Sequence, residues 1–377
     1  MRVTIIGPVY PYRAGIAYCT TRLAEELGAD VVSYKRQYPR ALYPGTSDID
    51  ESLRDRTPEG ARFLLDIVDP ITWIRTALLL RRERPDAVIL VWWVWVWALP
   101  YLTVLALLPR GTRVVLQCHN IGDKEPAAWK RRLTNLVLRR GDVLVVHAKS
   151  EAEDAARRTS RPIVHAFLPV HEMGGAVPTR EEAKTRLGLS GRNVALSFGH
   201  VRPYKGVDLA LRAWRMLKVD ATLVVAGEAW WKSEEEYRSL AQGLDNVRLD
   251  LRFIPDAEIA TYFAATDVVL APYRVEAQSG VALTAFHFAR PVIASTVGGL
   301  PEIVEDGVNG MLIPPEDVEA LARAVDAFFT TADREGMERA AVESARKYSW
   351  EEYGGVFRRL VEADEGRRQK AEGRTKK

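Results

Sequence analysis

Cysteine is nearly absent. Cys19 and Cys118 are the two in 377 residues, so no disulfide framework is available, and Cys118-His119 lacks the spacing of a zinc site. A reducing, cytoplasmic setting is expected. No Asp-x-Asp pair is read as a metal-holding one, and neither a metal nor a cofactor is expected. A secretory leader is not expected either, because Met1 runs at once into a short apolar stretch, Val3–Ile6, and a turn at Gly7-Pro8. Repeats of solenoid length are missing. Acidic residues are scarce in one half: residues 1 to 170 hold 25 Lys/Arg against 18 Asp/Glu, the remainder 28 against 32. The basic half should face something anionic. Nucleic acid is not the expected partner, since the cations are scattered over helices without an aromatic-lined strand face.

What is present is 47% hydrophobic and 27% charged residues, enough for two domains with their own cores. Short apolar strands alternate with helical stretches. In the first half strands are expected at Val3–Ile6, Val31–Tyr34, Ala87–Val91, Arg113–Cys118 and Val143–Val146. In the second they are expected at Val194–Phe198, Ala221–Val225, Val247–Leu251, Val268–Ala271, Pro291–Ala294 and Met311–Ile313. That alternation predicts two successive doubly wound α/β domains, with a joint near Leu168–Thr179, where Pro169, Gly174, Gly175 and Pro178 crowd together. The uncharged run Ala87–Leu108 contains Trp92, Trp93, Trp95 and Trp97 and is long enough for a membrane span. Pro100 interrupts it, and turn signals flank it, so a buried strand followed by a core helix, Leu99–Leu108, is the preferred reading. Tryptophans lining a crevice or a membrane interface form the second.

The densest chemistry lies between Glu276 and Glu302. Glu276-Ala-Gln-Ser-Gly280 is a loop opening a helix, Arg290-Pro-Val-Ile-Ala294 a strand, and Val297-Gly-Gly-Leu-Pro-Glu302 a second helix start. Bare backbone N–H groups at the positive end of a helix dipole suit a phosphate or pyrophosphate. This segment resembles the signature of the retaining, nucleotide-sugar-dependent glycosyltransferases of family four, and the likeness extends over nearly the whole chain. Glu276 falls on the first Glu of that signature. The second Glu falls on Thr284, which offers one hydroxyl where a carboxylate could accept from both ribose hydroxyls, and the Gly before x-Pro-Val falls on Ala289.

The resemblance implies a GT-B fold of two Rossmann-like domains facing each other across a cleft. Residues 1–170 would form the acceptor-side domain and 171–348 the nucleotide-sugar domain. A terminal helix, 349–365, would cross back to the first domain, and a basic tail, 366–377, is expected to be disordered. In the loop Gly199-His-Val-Arg-Pro-Tyr-Lys-Gly206, Lys205-Gly206 matches the family's Lys-Gly; His200 stands where the family has Arg, and Arg202 is expected to supply that charge. Two cations on one loop suit a departing nucleoside diphosphate. Arg13-Ala-Gly15 resembles the family's glycine loop beside the donor phosphates, with one of the paired glycines. His119 matches a position that contacts the donor sugar, and His147, ending the next strand, is a weaker candidate.

The implied reaction is transfer of a hexose from a nucleoside diphosphate to a hydroxyl acceptor with retention, independent of metal. Arg202, Lys205, Gly15, Ser279 and Gly280 would hold the diphosphate and Thr284 the ribose, with Glu276 and His119 on the sugar. A basic helix from Ala127 to Arg140, free of acidic residues and with Leu133, Leu136 and Val137 as its apolar side, leaves two readings: an anionic membrane surface at the inner face of the cytoplasmic membrane, or a plain solvated helix. The first would suit a lipid-linked or glycolipid acceptor and assembly of a surface polysaccharide. Two rival functions stand beside transfer: another enzyme on the same fold, such as an epimerase or phosphorylase, and an inactive nucleotide-sugar-binding homologue acting as a partner protein.

Overall fold

The computed structural model describes residues 1–13, 15–39, 47–121, 127–172, 177–229, 234–275 and 278–363. The chain divides into two compact units. One is Met1–Phe167 with the closing helix from Trp350; the other is Leu168–Ser349. Leu168 joins the second unit three residues ahead of the expected start because its N–H donates to Gln278 Oε1 at 2.7 Å, and Val170 N–H donates to the Tyr348 carbonyl at 2.9 Å.

The first unit runs β1 (Val3–Ile6), α1 (Gly15–Leu27), β2 (Asp30–Arg36), β3 (Arg62–Asp66), α2 (Pro70–Glu83), β4 (Ala87–Trp92), α3 (Ala98–Leu107), β5 (Arg113–Cys118), α4 (Ala128–Leu138), β6 (Val143–Val146), α5 (Lys149–Arg158) and β7 (Ile163–His165). Its seven strands are ordered β3-β2-β1-β4-β5-β6-β7, all parallel. A parallel sheet is covered on both faces, so its central strands are mostly apolar; every residue of β4, from Ala87 to Trp92, is apolar and buried. The uncharged tryptophan run is therefore a buried strand followed by a helix, α3, that buries Ala98, Pro100, Tyr101 and Val104 and leaves Leu99 exposed. Pro100 falls in the first turn of α3, where its missing N–H has no intrahelical acceptor to lose. No helix among the described residues is long and apolar enough to cross a membrane.

The second unit runs α6 (Arg180–Arg186), β8 (Asn193–Phe198), α7 (Val207–Trp214), β9 (Ala221–Ala226), α8 (Glu234–Ala241), β10 (Val247–Asp250), α9 (Asp256–Ala265), β11 (Val268–Ala271), α10 (Gly280–His287), β12 (Val292–Ser295), α11 (Leu300–Ile303), β13 (Gly310–Ile313), α12 (Val318–Thr330) and α13 (Arg334–Lys347). Its sheet is ordered β10-β9-β8-β11-β12-β13, again parallel. Asp267, just before β11, is a buried hub: it accepts from Val194 N–H at 2.8 Å, Lys184 Nζ at 3.1 Å and Arg334 at 3.2 Å, joining β8, α6 and α13. The chain ends its described part in α14 (Trp350–Glu362), which belongs to the first unit and packs on α1 and β5. Arg113 Nε donates to the Leu360 carbonyl and Gln117 Nε2 to the Tyr353 hydroxyl, fixing that helix to the sheet. Residues 366–377, expected as a tail, lie outside the described residues.

Every strand expected from the sequence is present within two residues at its ends. Two were not anticipated, β3 and β7, and both are sheet edges.

Candidate donor site and active site

In open α/β sheets, ligands bind beyond the carboxyl ends of the strands where the strand order reverses. In the second unit that reversal lies between β8 and β11, which are neighbours in the sheet although three strands apart in the chain. The loops after these two strands are Gly199–Gly206 and Pro272–Ser279, the segments that carry Arg202, Lys205 and Ser279 and lead into Gly280 at the start of α10. Sequence and topology thus converge on one edge.

The two loops are clamped together. Arg274 N–H donates to the Tyr204 carbonyl at 2.7 Å. Its guanidinium donates to the Pro203 carbonyl, to both Asp208 oxygens at 2.9 and 2.8 Å, and to Glu316 at 2.8 Å. Asp208 sits in the first turn of α7, so a buried carboxylate at the end of the first loop is locked bidentately to the second. Gly206 has φ +66°, and a Cβ there would lie 2.0 Å from the Pro272 carbonyl oxygen; only glycine permits this approach. At the loop's other end, Gly199 lies against Val281 in the first turn of α10. The Asp208–Arg274 clamp had no local sequence signal, its partners being 66 positions apart.

On this scaffold Lys205 Nζ stands 4.1 Å from the Tyr273 ring centroid, over its face, and 5.5 Å from that of Tyr204. Arg202 lies 6.0 Å from the Tyr204 ring centroid. Both cations thus lie over aromatic faces. Ser279 caps α10: its Oγ accepts from Ala282 N–H at 3.3 Å. Gly280 is exposed, and a Cβ there would meet nothing within 4 Å, so the space beside the helix start is open. Gln278 Nε2 is buried without a hydrogen-bond partner among the described residues, and sequence reasoning overlooked it. Thr284 is buried and its hydroxyl donates to the Gly280 carbonyl at 2.7 Å; toward a ribose it has only lone pairs to offer. Ala289 has φ +56°, the left-handed region that favours glycine, which accounts physically for a glycine at this position of the signature. Glu276, with Ala277, lies outside the described residues.

In the first unit the strand order reverses between β1 and β4. Gly15 starts α1 in the loop after β1, exposed and with open space around it. His119 directly follows β5, its N–H donating to the Trp92 carbonyl at 2.8 Å. His147 directly follows β6, and the two rings are 5.0 Å apart. The His147 Nδ1 is 2.9 Å from the Ala166 carbonyl. A carbonyl only accepts, so Nδ1 carries the proton and Nε2 is a bare acceptor. His119 keeps an exposed edge, yet its Nε2, like that of His147, is buried without a partner among the described residues. Burial, with His147 beside it, holds the His119 pKa well below the ordinary imidazole value; burial likewise pushes His147 down to about 4. Both are neutral hydrogen-bonding groups at pH 7.

One Asp-x-Asp sequence does occur, Asp48-Ile-Asp50, but Asp50 caps a 3-10 turn, accepting from Ser52 N–H at 3.0 Å and its hydroxyl at 2.7 Å. The basic helix is α4. Val137 is buried as expected from its apolar side, whereas Leu136 is exposed.

The two parallel-sheet units, each with a loop site at its switch point, define the GT-B fold. The solved sucrose-phosphate synthase of Thermosynechococcus elongatus aligns over 96% of this chain and 100% of its own, with TM-score 0.72 at 18% identity. HepE of Anabaena in complex with UDP-glucose aligns over 97% and 99%, with TM-score 0.73 at 16% identity. The family model "Glycosyl transferase 4-like domain" matches residues 14–171, and "Glycosyl transferases group 1" matches residues 192–331. The chain belongs to the family-four glycosyltransferases. Among curated relatives, the D-inositol 3-phosphate glycosyltransferase of Mycobacterium marinum is 36% identical over 181 residues, which are 46% of this chain and 39% of that protein. The chain spans about half the length, or less, of the curated relatives it matches.

Proposed function

We propose that this chain is a retaining glycosyltransferase that moves a hexose from a nucleoside diphosphate to a hydroxyl of a lipid-linked acceptor or a growing surface polysaccharide. The observation that carries the reading is the clamped pair of loops at the switch point of the second unit, which joins Arg202 and Lys205 to the open N-terminus of α10. Cations and backbone N–H groups on one rigid edge suit a diphosphate whose negative charge grows as it departs. HepE was solved with UDP and with UDP-glucose, and the curated relatives are named as glycosyltransferases, which supports the same donor class here.

In the proposed step the bond between the anomeric carbon and the phosphate oxygen breaks. The acceptor oxygen bonds to that carbon on the same face, and the acceptor's proton passes to the departing phosphate. Arg202, Lys205, Gly15 and the amides of Ser279 and Gly280 hold the diphosphate. Thr284 accepts from one ribose hydroxyl. Glu276 binds sugar hydroxyls, and His119 serves as a neutral hydrogen-bonding group toward the sugar. The cations carry the charge, so the step is proposed to need no metal ion.

The test is Glu276→Ala, followed with radiolabelled nucleotide sugars and by calorimetry with nucleoside diphosphates. Transfer and slow donor hydrolysis should fall at least ~100-fold while diphosphate affinity is kept. Near-normal turnover would remove Glu276 from the reaction.

A further inference from the structure

We propose that the outer face of α2, α3 and α4 docks on a bilayer rich in anionic lipid. The proposal deepens, and for its purpose rests on, the reading of the acceptor as lipid-linked. Right-handed crossovers place these three helices on one side of the first unit's sheet, and α3 packs between α2 and α4, whereas α1 pairs with α14. Ile71, Ile74 and Leu78 on α2, Leu99 on α3, and Trp129 and Leu136 on α4 are all between 45% and 58% exposed. Half of the large exposed apolar side chains among the described residues therefore lie on this one layer. Scattered surface apolar residues need no cause, but a contiguous group does.

The spacing makes it a face. Ile71, Ile74 and Leu78 recur at i, i+3 and i+7, and Arg75 and Arg82 fall on the same stripe. On α4, Trp129 and Leu136 are seven apart, with Arg132 on their side. α3 carries no charge at all, and neither α3 nor α4 has an acidic residue. The one carboxylate of α2, Glu83, is paired with Arg62 at 2.6 Å. Apolar side chains interleaved with arginines, and no free acid among them, match the chemistry of an anionic headgroup layer over acyl chains.

Two further observations fit the same occupant. Trp95 meets Trp129 edge-on at 4.6 Å, with Lys130 Nζ 5.0 Å from the Trp95 ring centroid, the aromatic-cation grouping that settles at headgroup depth. Between the ends of α2 and α3 a hollow of about 800 Å³ is lined by Arg81, Arg84, Leu108, Pro109 and Arg110, with Asp86 engaged by the backbone N–H of Arg2. It has the size and charge for a phosphate-bearing headgroup.

The test is co-sedimentation of the full chain with vesicles of phosphatidylcholine alone and of phosphatidylcholine mixed with phosphatidylglycerol, across a salt series. Light scattering is run on the same samples. Binding is expected on the anionic vesicles, weakening with salt, and falling at least tenfold in I74E/L78E and in R75E/R82E. Absence of binding to anionic vesicles, or equal binding by the variants, overturns the proposal. A dimer that I74E/L78E converts to monomer without changing vesicle binding would assign the face to a second copy and overturn it as well. Hydrolysis of nucleotide sugar in lipid-free buffer, unchanged in these variants, shows that they fold. Loss of vesicle binding with hydrolysis intact concerns this face alone. Binding with no hydrolysis by the wild type would sink the catalytic reading and leave docking in place.

Discussion

At the scale of single residues, two positions convert backbone and protonation into measurable effects. Ala289 stands at φ +56° with a Cβ, a conformation that costs an L residue about 1 kcal/mol. Ala289→Gly relieves it, and the looser unfolded chain offsets part of the gain. A net rise of ~0.5 kcal/mol, or about 1–2 °C in Tm by calorimetry, is expected; a drop would mean the methyl group's packing outweighs the strain. His147, fully buried, has its pKa lowered to about 4 by burial, against about 6.5 in an unfolded chain. Between these values the unfolded chain holds a proton that the folded chain does not. Stability is thus fully present above pH 6.5 and is lost toward pH 4 by about 1.4 kcal/mol per unit. His147→Gln should flatten that acid limb in urea titrations at pH 7 and 5. An unchanged limb would show that the imidazole is solvated.

At the scale of elements, the loops at the second unit's switch point hold their shape through one buried carboxylate. Asp208→Ala removes the bidentate partner of Arg274. Because Arg274 is partly exposed, the cost is on the order of 2 kcal/mol, below that of a fully buried pair. Denaturant unfolding gives that cost, and diphosphate affinity should fall with it because Lys205 loses its support. Affinity kept at full strength would mean the clamp does not shape the site. This clamp was not legible in the sequence, since nothing local marks Asp208 and Arg274 as partners. The interior strands were legible because β1, β4, β5, β8, β9 and β11 are buried along all or most of their length and read as mostly apolar runs, β4 and β11 without a polar residue. The edge strand Arg62–Asp66 begins and ends on charge, and Ile163–His165 is three residues long; neither carries a periodic signal. The loops after β8 and β11 were legible because glycine, lysine and a helix cap leave local marks. The exposure of Leu136 was not, because periodicity identifies a stripe without saying what covers it.

At the scale of the molecule, the two doubly wound units carry different sets of side chains. The first gathers basic and apolar side chains on α2 to α4 and places the neutral pair His119 and His147 beyond its strands. The second presents cations and a helix start at its switch point. The charge asymmetry in the sequence fits that division, its basic surplus residing in the first half. The central claim is that a nucleoside diphosphate is neutralised on the second unit, and titration calorimetry of the full chain against a panel of nucleoside diphosphates, in wild type and Lys205→Ala, tests it most directly. The account predicts that one diphosphate binds the wild type and that the variant binds it at least ~10-fold more weakly, the loss expected when a charged hydrogen-bond donor is removed. Equal affinity in both proteins would contradict it.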